Sequence, residues 1–252
     1  MSTWGLYEAR KANTGINKHE AARKRESRFL ETKAKENLSF FTVKINEEKQ
    51  NVSIINSDNL NEKFIISTPD SPPIIGGSLV EWMDNRWLVT EVDANNVIYS
   101  KAKMVQCNHL LKWVDENDNI LEQWCVVGDG TKYLTGVYED RNFVVTRGDS
   151  RITLSIAKNK NTAKFNRETR FLIDDSDANP KMAYSLTKPL KVGSVYNDTG
   201  VYSFVLQEVV STEYDNHELG IADYYKHFSK QNYDYDCSPS DKQTSKKDAG
   251  WF

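Results

Sequence analysis

Residues 78–92 read SLVEWMDNRWLVTEV and predict a β-hairpin. The central Asp-Asn pair, residues 84–85, suits a two-residue turn, because both residue types tolerate a positive φ. Such a turn places the two tryptophans of the stretch opposite each other and pairs a valine of one arm with a valine of the other. The four side chains then share one face. We therefore predict a core-facing set made of Val80, Trp82, Trp87 and Val89.

Short strands continue on both sides of this hairpin. From residue 40 apolar residues alternate with polar ones, as in a half-buried strand. A second hairpin has arms at residues 110–114 and 120–127, joined by the polar loop DENDN. Frequent short strands with polar turns between them predict a mostly β fold of small barrel or sandwich modules. We place a first β-barrel module at residues 38–130 and a second β module at residues 131–210.

The glycine-containing stretch GDGTK, residues 128–132, reads as the boundary between the modules or as a long exposed loop. The sequence RGDS at residues 147–150 makes a hairpin turn in this interpretation. It also matches an adhesion tripeptide, but a turn explains it better in a chain for which we expect no export. The strands that we predict in the second module are residues 143–146, 152–156, 171–173, 183–188 and 200–210.

Residues 1–37 predict a basic helical arm. Residues 8–36 contain nine Lys and Arg against five Glu, which gives a net charge of +4. The apolar stripe is narrow, and packing of an apolar face supplies most helical stability. The arm therefore either lies on a neighbouring subunit or is a solvated, partly frayed helix. Its candidate interface residues are Arg23, Lys24, Arg25, Arg28, Phe29 and Leu30.

Residues 211–252 differ in composition from the β modules. They hold eight acidic residues against five Lys and show no sustained apolar period. Such a profile predicts an extended or disordered tail that orders on a partner. For the last two residues, a docking peg and a disordered end remain alternatives. The candidate contact residues of the tail are Tyr224, Tyr225, Trp251 and Phe252.

The totals restrict the class of protein. The 252 residues are enough for two small domains, and a net charge of −3 gives no global attraction to nucleic acid or anionic membrane. No run approaches the roughly 20 apolar residues of a membrane span, so we expect no membrane partner. The first residues lack a basic stretch followed by an apolar one, so we expect no signal peptide. Non-specific contact between the basic arm and DNA is compatible with these totals.

Motifs for catalysis, cofactors and metals are absent from the sequence. The four histidines lack metal-binding spacing, and no GxSxG, GxGxxG or Walker A sequence occurs. Cys107 and His109 are close in a strand, but a second ligand pair is missing. The acidic stretch DDSDANP, residues 174–180, lacks the glycine and closing Glu of a calcium loop and fits a turn. We therefore predict no enzyme activity, no catalytic or metal-binding residues and no cofactor, and we expect Cys107 and Cys125 to be buried free thiols.

The region from residue 76 to residue 127 resembles structural proteins of tailed, siphovirus-like phages of Firmicutes that are encoded in the head-to-tail region. Weaker similarity extends the resemblance to about residues 37–210. The pattern of glycine, strand and WLVTEVD is also similar to the small β-barrel of head-closure (stopper) proteins. The segments that carry the resemblance are GSLVEW (77–82), RWLVTEVD (86–93), MVQCN (104–108), LKW (111–113), EQWCVV (122–127), FLID (171–174), NP (179–180) and LT (186–187).

This resemblance implies a virion protein of the phage neck, made in the host cytoplasm. It would form a homo-oligomeric ring that joins the DNA-filled head to the tail, with the portal or an adaptor protein above and a tail protein below. Two alternatives remain from the sequence. One is another virion part, such as a tail-completion, baseplate or capsid-surface protein. The other is a carbohydrate-binding β module that stacks exposed tryptophans on sugars.

Overall fold

A computed structural model gives the fold of most of the chain. It is mostly β, with 44% strand and 17% helix, and consists of a closed six-stranded barrel, a nearly closed barrel and an N-terminal helical region. The predicted fold class is therefore confirmed. The structure describes residues 3–15, 17–69, 71–94, 98–129, 150–175, 177–189, 191–196 and 198–228.

The N-terminal arm is a pair of helices, α1 (Thr3–Thr14) and α2 (Lys18–Lys35). Gly15 separates them at a φ of +99°, and a side chain there would lie 2.6 Å from the backbone at the start of α2. Asn17 caps α2, because its Oδ1 accepts the backbone N–H of Glu20 at 2.8 Å. The break between the helices is therefore encoded by a glycine and a capping residue.

The first barrel is closed and antiparallel, in the order β1-β2-β3-β6-β5-β4. It closes where β1 pairs with β4, at Lys44 with Glu81 and at Ile45 with Val80. Alternate residues of each strand point inward and form an aliphatic and aromatic core. The strands are β1 (Phe40–Ile45), β2 (Glu48–Asn56), β3 (Glu62–Ser67), β4 (Leu79–Trp82), β5 (Asn85–Val92) and β6 (Lys101–Gln106).

The second barrel has the strand order β10-β11-β13-β9-β8-β7, with β12 paired to β13. Its end strands β7 and β10 approach each other, which makes the barrel nearly closed. Phe165, which follows a 3₁₀ turn at Thr162–Lys164, packs edge-on against Trp113 and Phe171 in the core. The strands are β7 (His109–Val114), β8 (Ile120–Asp129), β9 (Arg151–Ala157), β10 (Arg170–Leu172), β11 (Ala183–Lys188), β12 (Val195–Tyr196) and β13 (Thr199–Val209).

The two barrels share an apolar contact. Residues of β4 and β5 on the first barrel meet residues of β8, β9 and β13 on the second. Beside this contact the N–H of Gly200 donates to the carbonyl of Gly76 at 2.9 Å. Gly77 has a φ of +84°, and a Cβ there would lie 2.3 Å from the Gly200 carbonyl oxygen. The close approach of the two backbones therefore requires glycine at position 77.

The register of the hairpin over residues 78–92 differs from our prediction. The turn residues are Met83 and Asp84, with φ of 48° and 59°, and Val80 pairs with Trp87. Asn85 is the first residue of β5, and its Nδ2 donates to the Met83 carbonyl at 2.8 Å. The pairing therefore differs by two residues from the predicted one. A shift of two preserves which face each side chain occupies, so Val80, Trp87 and Val89 are buried and Trp82 lies at the edge of the core.

The boundary between the modules also differs from the predicted one. The first barrel ends at Gln106 rather than near residue 130, since β7 and β8 belong to the second sheet. The pairing of Cys125 with Ile156 joins β8 to β9 across about thirty residues of sequence. Local periodicity carries no information about such a long-range pairing. The strand and turn predicted at 143–149 lie outside the described residues.

Candidate assembly surfaces

The first candidate surface is the aromatic face of α1. Trp4 and Tyr7 are 66% and 50% exposed, and their ring centroids lie 5.5 Å apart. The Trp4 indole donates to Glu8 at 2.9 Å, and the Lys11 ammonium lies 5.2 Å from the Tyr7 ring centroid. Contacts three and four residues apart order these side chains on one side of the helix. The face is thus organised, although its aromatic rings remain exposed.

The second candidate surface is the basic outer surface of α2. Phe29 is 56% exposed, whereas Leu30 is half-buried. Three of the candidate interface residues, Arg23, Arg25 and Arg28, are exposed. The other candidate, Lys24, forms an ion pair with Glu20 at 3.3 Å within the helix.

The arm packs little on the barrels. The helices α1 and α2 contact each other near their connection, and neither forms an extensive contact with any described strand. Helices shorter than about 12–15 residues are marginal in water without tertiary packing. The arm therefore offers apolar and basic surface that its own described fold does not cover.

The C-terminal segment, residues 211–228, is folded onto the second barrel, in contrast to the predicted tail. Ile221 is 1% exposed, and Ala222 packs against Leu172, Ala183 and Val209 of the sheet. The backbones of Asn216 and Ile221 exchange hydrogen bonds at 2.9 and 3.0 Å. The prediction of an extended or disordered tail is thus wrong for residues 211–228, and residues 229–252 lie outside the described residues.

Arg170, at the start of β10, anchors this segment. Its guanidinium donates to both carboxylate oxygens of Asp215 at 3.1 and 2.9 Å, and to Asp223 at 2.9 Å. It also donates to the Val210 carbonyl and the Thr212 hydroxyl. The Arg170 side chain is 13% exposed, and the Asp215 side chain is fully buried. Bidentate guanidinium–carboxylate contacts are among the strongest polar contacts in proteins.

The Asp215 carboxylate is held in its charged form. Burial alone raises the pKa of Asp215, but hydrogen bonds from Asp223, Thr212 and Arg170 outweigh burial and lower the pKa below its ordinary value. The N–H groups of Asp223 and Thr212 donate to it at 2.9 and 2.7 Å. Sequence reasoning missed this cluster, because nothing in the spacing of one Arg and two distant Asp residues indicates that they meet.

Two predicted interface residues, Tyr224 and Tyr225, lie in this segment. They begin the short helix α3 (Tyr224–His227), and both are half-buried. The Tyr224 ring packs against Phe228 at 4.6 Å, and the Tyr225 N–H donates to the Tyr214 carbonyl at 2.9 Å. Both tyrosines therefore contribute to the fold of their own chain. The other two tail candidates, Trp251 and Phe252, lie outside the described residues.

A cavity of about 210 Å³ lies between β7, β10 and the C-terminal segment. Its lining includes Glu116, Lys164 and His227, which make an ion pair or a hydrogen bond within the chain. Lys164 contacts Glu116 at 2.7 Å, and His227 contacts Asp118 at 2.7 Å. These contacts tie the β7–β8 loop to its neighbours.

The positions considered for metal or thiol chemistry have structural roles in the described part of the chain. Asp174 accepts backbone N–H groups of Asp175 at 2.8 Å and Met182 at 3.2 Å, as in a turn. Burial raises the pKa of the Cys107 and Cys125 thiols to about 12, so both are protonated at neutral pH. Among the described residues, no three His, Cys, Asp or Glu side chains are placed to share a metal ion.

Burial and a charged neighbour shift the pKa of His109 as well. Burial lowers the pKa of His109, and the nearby Lys181 ammonium lowers it further. The imidazole is therefore neutral at physiological pH.

None of the helices in the described ranges is long and apolar enough to cross a bilayer. Comparison with curated proteins and with solved structures gives no match. Comparison with family models matches residues 16–106 to the YomX N-terminal domain. The matched region comprises α2 and the whole first barrel, and it ends at the last residue of β6, where the barrel itself ends. The first barrel and its helix thus match a phage-related domain family, the YomX N-terminal domain.

Proposed function

We propose that this chain is a structural protein of a phage virion that forms a homo-oligomeric ring at the neck, between the DNA-filled head and the tail. The match of residues 16–106 to a phage-related family supports the virion assignment. The resemblance to head-closure proteins supports the neck position. The observation that carries the proposal is the two-helix arm, whose aromatic and apolar residues remain exposed.

The exposed side chains of the arm favour a protein partner. Trp4, Leu6, Tyr7 and Phe29 are each at least half exposed. Full burial of one large apolar side chain stabilises a contact by roughly 1.5–3 kcal/mol. The helix α2 has 18 residues, which corresponds to a length of about 27 Å. An arm of this length reaches a neighbouring subunit while its own barrels stay fixed.

Charge favours a second copy of the chain as that partner. Residues 1–36 carry nine basic and five acidic residues, a net charge of +4, and the whole chain carries −3. The remaining residues, 37–252, therefore carry −7. The arm of one copy is thus attracted to the body of the next. An arm that binds a different surface on its neighbour makes a heterologous contact, and repeated contacts of this kind close into a ring.

In this proposal the ring lies below the portal or an adaptor protein and above a tail protein. The barrels supply a rigid body, because each has its own core and the two share an apolar contact. The basic arm would face packaged DNA or an acidic portal surface without reading a sequence.

Electron microscopy of particles from a phage with this gene deleted tests the proposal. Filled or leaking heads with separate free tails are the expected result. Joined heads and tails in non-infectious particles would overturn the neck assignment and place the protein at the tail tip, the baseplate or the capsid surface. Wild-type protein supplied in trans should restore joining, which controls for effects on neighbouring genes.

Burial of the four barrel tryptophans argues against the alternative in which these rings stack on carbohydrate. Trp87 and Trp113 are 4% and 7% exposed and belong to the two barrel cores. Trp82 and Trp124 are only partly exposed and pack against apolar clusters. Stacking on sugars requires an exposed ring face. Tryptophan fluorescence that does not change with added glycans would agree with the structural assignment.

A further inference from the structure

The pairing of β1 with β4 that closes the first barrel is short, and it leaves an opening beside the first half of β1. This strand pairs with β2 along its whole length, but it pairs with β4 only at Lys44 and Ile45. The partner strand β4 ends at Trp82 and turns away through Met83. Over residues 40–43, therefore, β1 has a neighbouring strand on one side only within the described part of the chain. A strand edge of this kind can pair with another extended segment.

The outer face beside this opening carries excess positive charge. Lys44 and Lys49 are directly opposite each other on β1 and β2, and like charges in that arrangement are destabilising. Glu81 compensates only part of this charge, because it contacts Lys44 at 3.2 Å and also contacts Arg86. Lys49 has no ion pair among the described residues. These residues line a cavity of about 500 Å³ together with Thr42, Trp82 and the acidic Asp84. Its lining has three basic and two acidic side chains, so the excess of one positive charge favours an anionic occupant.

The inner face next to the opening contains buried polar atoms that lack partners. The indole N–H groups of Trp82 and Trp87 and the side-chain oxygen of Gln50 have no hydrogen-bond partner in the described part of the chain. Trp82 packs against Phe41 at 5.3 Å and against Trp87 at 5.8 Å. A buried polar atom without a partner costs about 1–3 kcal/mol. An occupant with both donor and acceptor groups would remove that cost.

We propose that this opening binds an extended segment of a second copy of the chain, residues 232–237, in which tyrosines alternate with aspartates. The segment reads NYDYDC and lies outside the described residues. In an added strand, Tyr233 and Tyr235 share one side and Asp234 and Asp236 share the other. A tyrosine hydroxyl both donates and accepts, which matches the inner face, and the aspartates match the lysines of the outer face. The inference rests on the proposed ring, since it supplies one contact between neighbouring copies.

Disulfide cross-linking between two versions of the full chain tests this inference. One version carries Met83→Cys and Cys237→Ser, and the other keeps Met83 and Cys237. Met83 is 64% exposed at the rim of the opening, and Cys107 and Cys125 are buried, so they do not compete. We expect covalent pairs of unlike chains after mild oxidation. Leu60→Cys, on the same barrel and 87% exposed, is the matched control and should cross-link at least about tenfold more slowly, which corresponds to ~1.4 kcal/mol.

Charge reversal in the Cys237 version supplies a second readout. Asp234→Lys with Asp236→Lys should slow cross-linking to the rate of the Leu60→Cys control. Rates that are equal at Met83→Cys and Leu60→Cys, or that do not change on charge reversal, would overturn the inference. Cross-linking only within one chain, in a version that carries both Met83→Cys and Cys237, would overturn the choice of a second copy. Rings that form without this cross-link would contradict only this inference, whereas absence of rings would contradict the proposed function.

Discussion

The two ends of the described chain look alike in sequence and differ in structure. Neither the N-terminal arm nor residues 211–228 contain more than two consecutive apolar residues, and neither shows a sustained apolar period. The C-terminal segment is nevertheless packed on the second barrel through Arg170, Asp215 and Ile221. The arm has no buried side chain in its described part. A few buried contacts thus decide whether a polar segment belongs to its own fold or is available to a neighbour.

Loss of the Arg170 guanidinium should have the largest effect on how the C-terminal segment is held. Arg170→Met leaves the buried Asp215 carboxylate without its cation, and breaking a buried pair costs about 3–5 kcal/mol. We expect that loss in the free energy of unfolding measured in urea, together with new protease cleavage within residues 211–228. Arg167→Met, at an exposed position close by, is the control. Equal stability of the two variants would show that the ion pair does not hold the segment.

Loss of the apolar anchor should have the next largest effect. Ile221 is 1% exposed, so Ile221→Ala should lower the free energy of unfolding by about 3 kcal/mol through lost burial and the cavity left behind. Leu219→Ala, in the same segment at 43% exposure, should cost much less. Thermal unfolding of the two variants checks this difference. A Leu219→Ala variant as unstable as Ile221→Ala would contradict the assigned packing.

Acid should weaken the attachment of the C-terminal segment to the second barrel. The pKa of Asp215 is lowered in the folded state, so its stabilising contribution is present above the ordinary Asp value of about 3.9 and is lost as the pH falls towards the folded value. Unfolding measured from pH 7 to pH 2 should therefore show a loss of stability below about pH 4. Asp215→Asn should be less stable at pH 7 and show a shallower decline in acid. An unchanged acid decline in that variant would exclude Asp215 as the cause.

Changes in the arm should have the smallest effect on the fold. Trp4→Ala with Phe29→Ala removes exposed side chains and should change the free energy of unfolding by less than about 0.5 kcal/mol. The same double variant should lose self-association, which analytical ultracentrifugation measures. A large loss of stability in the monomeric barrels would show that the arm packs on its own chain and would remove the contrast between the two ends.

Local structure could be predicted from the sequence, whereas contacts between distant residues could not. Alternation of apolar residues correctly predicted a mostly β fold with barrel modules, and helix formers correctly predicted the region of α2. The facing of Val80 and Trp87 follows from period two alone and so is insensitive to a two-residue error in register. The predicted turn was one residue too far along the chain. Asn85 is not a turn residue, and its side chain instead donates a hydrogen bond to the Met83 carbonyl within the turn.

The missed features depend on contacts between distant residues. Because β8 pairs with β9, the first module ends at Gln106 and not near residue 130. The matched family domain also ends at residue 106. The contact of Arg170 with Asp215 folds a segment whose composition predicts a tail. Composition reports the average polarity of a segment, whereas its fold depends on which of its few apolar and charged residues find a buried partner.

Light scattering of the full chain in solution, with and without the Trp4→Ala and Phe29→Ala changes, measures whether copies assemble through the arm. We expect a defined multiple of the 28.9 kDa chain for the unmodified protein and a single chain of 28.9 kDa for the double variant. Ring particles of the unmodified protein in electron micrographs should accompany the larger mass. A single-chain mass for the unmodified protein, or an unchanged multiple in the double variant, would contradict assembly through the arm.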